Sequence, residues 1–444
     1  MRPRHYAYAA ALLLSLATPG AATAADYSPS HVIVRYAGWT THRERIAVER
    51  ATGTGRAVPI AGGARVLQIK DGDSVRKTIA ELRARPGVDY AVPDYRIHAA
   101  AAYYPNDPGR GGAGNWRKVQ WNFAGAFGIR APQAWATMRA LHEAGGRGAI
   151  VAVLDSGVAY KNRGGFKRAP DLGKTGFVPG HDFIDGDNVP LDEDGHGTHV
   201  AGTIAEQVNN KKAVTGLAYG VKIMPLRVLD ANGGGNGGPL AKAIIWAVDH
   251  RAQVINMSIV FNSDLQAADI PDVIAAMRYA HQHNVVMVGA AGNESDNHLD
   301  YPARYRDVIS VGATTSSGCQ AQYSSFGDGL DVVAPGGGKD AELTGSDWDR
   351  AHCGHGAGGR EIVQQTFVQN FHDFHLVGVE GTSEAAPHVS ALAALIIASG
   401  RLGPQPTADA VLARIDSSAR DIGPPGYDKR YGHGLVNAAA AVAP

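Results

Sequence analysis

The chain has 444 residues, of which 44% are hydrophobic and 19% charged, so it can bury a sizeable core and is not globally disordered. Lys+Arg and Asp+Glu balance at 42 each, which argues against a general nucleic-acid or membrane-surface binder. The length suits a large core plus a smaller one.

Arg2 and Arg4, the short apolar run Ala7 to Ala17, and Ala22-Thr23-Ala24 have the layout of a secretory signal peptide over residues 1–24. The run is too short to span a bilayer, and no later stretch suits a membrane span. Export predicts a secreted or periplasmic protein. In that oxidising setting the only cysteines, Cys319 and Cys353, are available to pair, two free thiols being the alternative.

Residues 25–98 read as a unit of their own. Strand-like His31–Tyr36, a helical Thr41–Ala51, strand-like Ala64–Lys70, a helix over Asp73–Arg85 and a closing strand Val88–Tyr95 predict a small α+β sandwich. The tract Ala99–Gly114, with an alanine run, Pro105, Pro108 and several glycines, reads as an exposed linker. From 115 to 444 strands and helices alternate. Apolar strand runs at Ala149–Leu154, Val221–Leu229, Gln253–Ser258, Asn284–Ala290 and Asp307–Gly312 interleave with helical stretches. Those stretches are His196–Gln207, Pro239–His250, Ile270–His283, Thr382–Ser399 and Thr407–Ser417. The fold class predicted is α/β: a mostly parallel sheet with helices on both faces, preceded by the small α+β unit.

Three segments put a reactive side chain at a strand end or helix start. Asp155 ends the apolar strand Val151-Ala152-Val153-Leu154. A half-buried carboxylate there can orient an imidazole. In Asp194-Gly195-His196-Gly197-Thr198-His199, two glycines leave His196 uncrowded at a helix start, where it suits general-base work. His196 and His199 have a spacing that permits metal binding, but no third ligand with a clear pattern follows. In Gly381-Thr382-Ser383-Glu384-Ala385-Ala386-Pro387, Ser383 opens a helix whose free N–H groups face a developing oxyanion.

Asp, His and Ser in this order and in these motifs resemble the subtilase family of serine proteases. The resemblance extends to Gln133-Ala134-Trp135, Ala290-Ala291-Gly292-Asn293-Glu294 and Tyr431-Gly432-His433-Gly434. It implies a serine endopeptidase with Ser383 as nucleophile, His196 as base, Asp155 as its orienting carboxylate and Asn293 as oxyanion donor. It also implies that the segment around Val88-Asp89-Tyr90-Ala91-Val92-Pro93-Asp94-Tyr95 belongs to an inhibitory, folding-assisting propeptide, removed by the enzyme in the linker. Protein or peptide substrates and the chain's own propeptide are the partners implied. No cofactor is expected for catalysis. Positions matching Gln120, Asp171 and Asn210 imply a structural calcium, although Lys211 and Lys212 intrude on that loop.

The chain departs from the family pattern in places. Glu384 stands beside the nucleophile, and a solvent-facing orientation is expected for it. Ile259-Val260-Phe261 brings bulk to one cleft wall, and Asp300 falls at the expected base of the specificity pocket. An acid there attracts Lys or Arg, but the linker has neither between Arg96 and Arg110, which leaves the preference open. A catalytically weak, peptide-binding relative is the alternative function. The histidines of His352-Cys353-Gly354-His355, with His372 and His375, read as solvated loop residues rather than a metal site.

Overall fold

The structure is a computed structural model that describes residues 27–60, 63–95, 102–343 and 353–443. The proposed signal segment and His352 lie outside the described residues. The chain divides into two compact units, one up to Ala99 and one from Ala100.

The first unit follows the order β1 (Tyr27–Tyr36), α1 (His42–Ala51), β2 (Thr54–Pro59), β3 (Ala64–Ile69), α2 (Val75–Arg83) and β4 (Val88–Tyr95). Its four strands form an antiparallel sheet in the order β2-β3-β1-β4. The period of two in β1 buries Val32, Val34 and Tyr36 on one face. Helix α2 presents Val75, Ile79 and Leu82 to that face, and Leu67 and Ala91 complete the core. Thr41 and Glu44 form a capping box at the start of α1, and Ser74 caps α2. Strand β2 was not expected. It carries Gly55 and Pro59 and lies at the sheet edge, where a weak pattern suffices because one neighbour sets the pairing.

The larger unit begins earlier than expected. Tyr103 N–H donates to Pro132 O at 2.8 Å, Gly109 N–H to Ala213 O at 2.8 Å, and Trp116 Nε1 to Pro105 O at 2.9 Å. Asp107 is fully buried and accepts from the Asn209 and Asn210 N–H groups. Tyr103, Pro105, Asp107 and Gly109 are therefore tied into this unit, which corrects that part of the Ala99–Gly114 linker reading, whereas residues 110–113 are exposed.

Two single-turn helices, α3 (Trp116–Val119) and α4 (Trp121–Ala124), and α5 (Ala131–Ala140) lead to β5 (Ile150–Asp155). Then come β6 (Gly176–Phe177), β7 (His181–Asp182), α6 (His196–Ala205), β8 (Lys222–Arg227), α7 (Gly237–Asp249), β9 (Val254–Met257) and α8 (Pro271–Gln282). Strands β10 (Val286–Ala290), β11 (Val308–Thr314) and β12 (Val332–Pro335) follow, then two short antiparallel pairs. These are β13 (Gly338–Lys339) with β14 (Gly358–Arg360), and β15 (Ile362–Thr366) with β16 (His375–Val379). Helices α9 (Thr382–Ala398), α10 (Ala408–Ser418) and α11 (Ala438–Ala441) end the unit.

The central sheet runs β12-β11-β10-β9-β5-β8-β6, with β7 also on β8, and every pairing is parallel. Both faces are covered, so its strands are apolar throughout. Val151 and Val153 of β5 enter one core, which includes α5, α6 and α9 residues. Ala152 and Leu154 enter the other, which includes α7 and α8 residues. Helix α9 is buried from Thr382 to Ile396 except at Ser383. Cys319 and Cys353 are disulfide-bonded, with 5.7 Å between their Cα atoms.

Candidate active site

The sheet delivers Asp155 to the carboxyl end of β5, where reactive groups of parallel sheets gather. Its side chain is fully buried, and Oδ1 accepts from the Ser156 N–H at 2.8 Å and from His196 Nδ1 at 2.7 Å. The imidazole is thereby fixed with Nδ1 as donor and Nε2 free.

His196 opens α6, and both glycines beside it are required. Gly195 has φ +109°, and a Cβ there would meet Phe367 O at 2.3 Å. A Cβ on Gly197 would meet Gly157 O at 2.1 Å. The start of α6 is held by Asp192, a residue that sequence reasoning passed over. It is fully buried and accepts from Asp194 N–H, Gly195 N–H, Thr198 N–H, Thr198 Oγ1 and Ser156 Oγ. An acid just ahead of an apolar helix was the available signal.

Ser383 is the second residue of α9, so its N–H has no intrahelical acceptor. Its carbonyl would bond to the N–H of residue 387, but Pro387 has none. Ser258 Oγ donates to that carbonyl instead, at 2.7 Å, and Ser383 Oγ donates to Ser258 O at 3.1 Å. Ser383 and His196 line the same cleft of about 340 Å³, but no Ser383–His196 hydrogen bond is present among the described contacts. Ser258, Ile259, Val260 and Phe261 form one wall of that cleft, and Gly233, Gly235 and Asn236 line it too. Asn293 Oδ1 accepts from Thr382 N–H and Thr382 Oγ1, both at 2.9 Å. That turns the amide's Nδ2 toward the helix start, where the Cβ position of Gly381 is 3.8 Å away.

Glu384 does not face solvent, contrary to expectation. It is 1% exposed, with Oε1 at 3.8 Å from His196 Nε2 and 3.7 Å from His199 Nδ1. Burial pushes its carboxyl up, to about 7. For His196 burial disfavours the charged form, but Asp155 and then Glu384 and Asp194 outweigh it and hold the imidazole well above its ordinary range. His199 is buried and depressed to about 3, and His388, whose Nδ1 donates to Glu384 O, to about 4.

Asp300 is buried behind Gly292, whose added Cβ would meet its Oδ2 at 2.3 Å, and the cleft described above is lined without it. Asp171 and Asn210 do come together, with Gln120 bonded to Thr215 beside Val214, but donors face their oxygens. Gln120 Oε1 accepts from Thr215 N–H and Oγ1, Asp171 from Asn210 Nδ2 and Val214 N–H, and Asn210 Oδ1 from Lys212 N–H. A calcium needs those directions open, so this arrangement does not fit the ion. Among the described residues no group of three His, Cys, Asp or Glu side chains could hold a metal, and no helix is long and apolar enough to cross a membrane.

The Subtilase family model matches residues 146–434, and the Fervidolysin N-terminal prodomain model matches residues 16–94. The chain is 32% identical over 380 residues to the thermophilic serine proteinase of Bacillus sp. (strain AK1), covering 84% of this chain and 79% of that one. It is 33% identical over 344 residues to thermitase of Thermoactinomyces vulgaris, covering 77% and 99%. A solved structure of a protease from Pseudoalteromonas arctica PAMC 21717 matches with a TM-score of 0.60 at 30% identity, over 76% of this chain and 98% of that one. With a catalytic-type cleft in the larger unit and a prodomain-type sheet in the smaller, the chain belongs to the subtilase family of serine proteases and carries an N-terminal prodomain.

Proposed function

We propose that the chain is the precursor of an exported serine endopeptidase that hydrolyses peptide bonds through an acyl-enzyme on Ser383. The observation that carries this is the 2.7 Å Asp155–His196 hydrogen bond beside a cleft that Ser383 also lines. With Nδ1 held by Asp155, Nε2 is the nitrogen left to act as base. Turning about its Cα–Cβ bond, Ser383 exchanges the Ser258 carbonyl for Nε2 and attacks the substrate carbonyl. The oxyanion is met by Asn293 Nδ2 and the Ser383 N–H, whose placement at a helix start favours negative charge. His196 then protonates the leaving amine, and water releases the acyl group. Every proton in this scheme moves between protein side chains, substrate and water.

The smaller unit acts as the propeptide, an intramolecular inhibitor and folding aid, and the enzyme removes it at the Ala99–Ala102 stretch, ahead of the packed Tyr103. Residues 1–24 direct export, to the periplasm or beyond. The calcium implied by the resemblance has no part in this reading.

Expressing the full chain with and without Ser383→Ala tests the proposal. The wild type should yield a product with a new N-terminus near Ala99–Ala102 and label with a fluorophosphonate at Ser383. The variant should stay full length, with peptide hydrolysis down about 10⁴–10⁶-fold, the range that loss of a nucleophile costs a serine protease of this type. A variant that still processes itself at the wild-type rate would sink the assignment.

A further inference from the structure

The proposed reaction leaves one buried side chain at its centre unused. Glu384 Oε1 accepts no hydrogen bond, although two ring nitrogens lie near it. His196 Nδ1–H is committed to Asp155 Oδ1 at 2.7 Å, so in a neutral ring Nε2, at 3.8 Å from Oε1, is bare. His199 Nε2–H donates to Ile362 O at 3.1 Å, so Nδ1, at 3.7 Å from Oε1, is bare as well. His199 Nδ1, like Glu384 Oε1, is buried without a partner. With both imidazoles neutral and the carboxyl ionised, three lone-pair atoms face one another, two of them buried without a partner. That is costly, and one proton among them removes the conflict.

We propose that Glu384 is a positioning residue of the active site that shares a single proton with His196, against the bare Nδ1 of His199, and thereby sets the pH at which the base becomes available. This rests on the peptidase reading above.

The shared proton has two useful addresses. On Glu384, its O–H points at His199 Nδ1 and leaves His196 Nε2 free to take the Ser383 proton. On His196, it makes an imidazolium held between the Asp155 and Glu384 carboxylates, which cannot act as a base. His199 is the poorest address, since its ring is 1% exposed and burial holds it neutral. The charged and titratable groups around the triangle decide how long the proton stays. Asp155 on β5, Asp194 ahead of α6 and Glu380 ahead of α9 all favour its retention. The Tyr323 phenol is neutral, as is His388 on α9 itself, whose Nδ1 donates to Glu384 O. Negative neighbours thus outnumber positive ones, which holds the proton in the site to higher pH than an isolated carboxyl would.

The test is the pH profile of kcat/KM for the enzyme that the full chain yields, in wild type, Glu384→Gln and Glu384→Asp. Removing one carboxylate within about 4 Å of an imidazole should lower its titration by about one pH unit or more. The acidic limb of the Gln variant should move down by that much, and the Asp variant, which keeps the charge, should move back toward wild type. Coincident wild-type and Gln limbs would overturn the shared proton. Where the Gln variant does not fold, histidine-selective ¹⁵N labelling of the wild-type chain decides instead. His196 should titrate in two linked steps, the later one alkaline, and a single step near an isolated imidazole's about 6.5 would overturn the proposal. Peptide hydrolysis and fluorophosphonate uptake by the wild type report separately on the peptidase reading, so the two failures are distinguishable.

Discussion

The two units solve the same burial problem at different scales. The smaller one has a single sheet with one covered face, and its core among the described residues is nine side chains grouped around Leu67 and Leu82. The larger one covers both faces of its sheet, so alternate residues of β5 anchor two separate cores. A unit as small as the first buries only about 60% of the surface its unfolded chain exposes, and each contact is a large share of its stability. The second has redundancy, and it can support a strained constellation of buried acids and histidines that the first could not.

That contrast can be tested on the Ser383→Ala chain, which should keep both units joined. The largest effect concerns chemistry and needs the active enzyme. Asn293→Ala should lower kcat about 10²–10³-fold, while calorimetry shows only the small loss, about 1–2 kcal/mol, that follows from freeing the two Thr382 donors. A matching loss of stability would mean that Asn293 acts through structure. Next, Leu67→Ala and Leu154→Ala each remove a fully buried leucine and should cost about 2–5 kcal/mol. In the smaller unit that should abolish the separate melting transition, whereas the larger unit should remain folded at room temperature with a lowered Tm. Equal shifts in the two transitions would break the comparison.

A somewhat smaller loss is expected from Cys353→Ser. The bridge to Cys319 closes a sequence separation of 34, and opening it should cost the larger unit about 2–4 kcal/mol and leave the smaller untouched. The gentlest test is of pH. Glu384 keeps its proton in the fold up to about 7, well above its value in an unfolded chain. The stability it allows is fully present below the unfolded value and lost as pH rises through the folded one. His196, also raised, adds a slope of the same sign at higher pH. Thermal melts of Glu384→Gln against wild type should therefore show a gap in the variant's favour that widens between about pH 5 and pH 7. A gap independent of pH would mean that the carboxyl gives up its proton as readily in the fold as in the unfolded chain.

Much of this molecule was legible before any coordinates. Asp155, His196 and Ser383 each stand where an apolar strand ends or a helix starts, and such junctions show clearly in a sequence. The parallel sheet follows from apolar runs without alternation, as in Ile150–Asp155. Other features leave weaker traces. Strand β2 is an exposed edge with a glycine and a proline. The packing of residues 103–109 depends on Ala213, Asn209 and Asn210, about a hundred positions away. Glu384 was misread for a specific reason. Helix α9 is buried on nearly every side, so it has no polar stripe to show which way its first turn points. The Ser258 clasp on Ser383 follows from Pro387, a signal present in the sequence but meaningful only once residue 258 is known to be adjacent.

The enclosure of α9 has a consequence for how such a protein wears out. A nucleophile mounted on the first turn of a rod that threads the whole interior cannot drift by local fraying. Heat inactivation should thus track cooperative collapse of the domain, without an earlier phase in which the fold survives and the hydroxyl is lost.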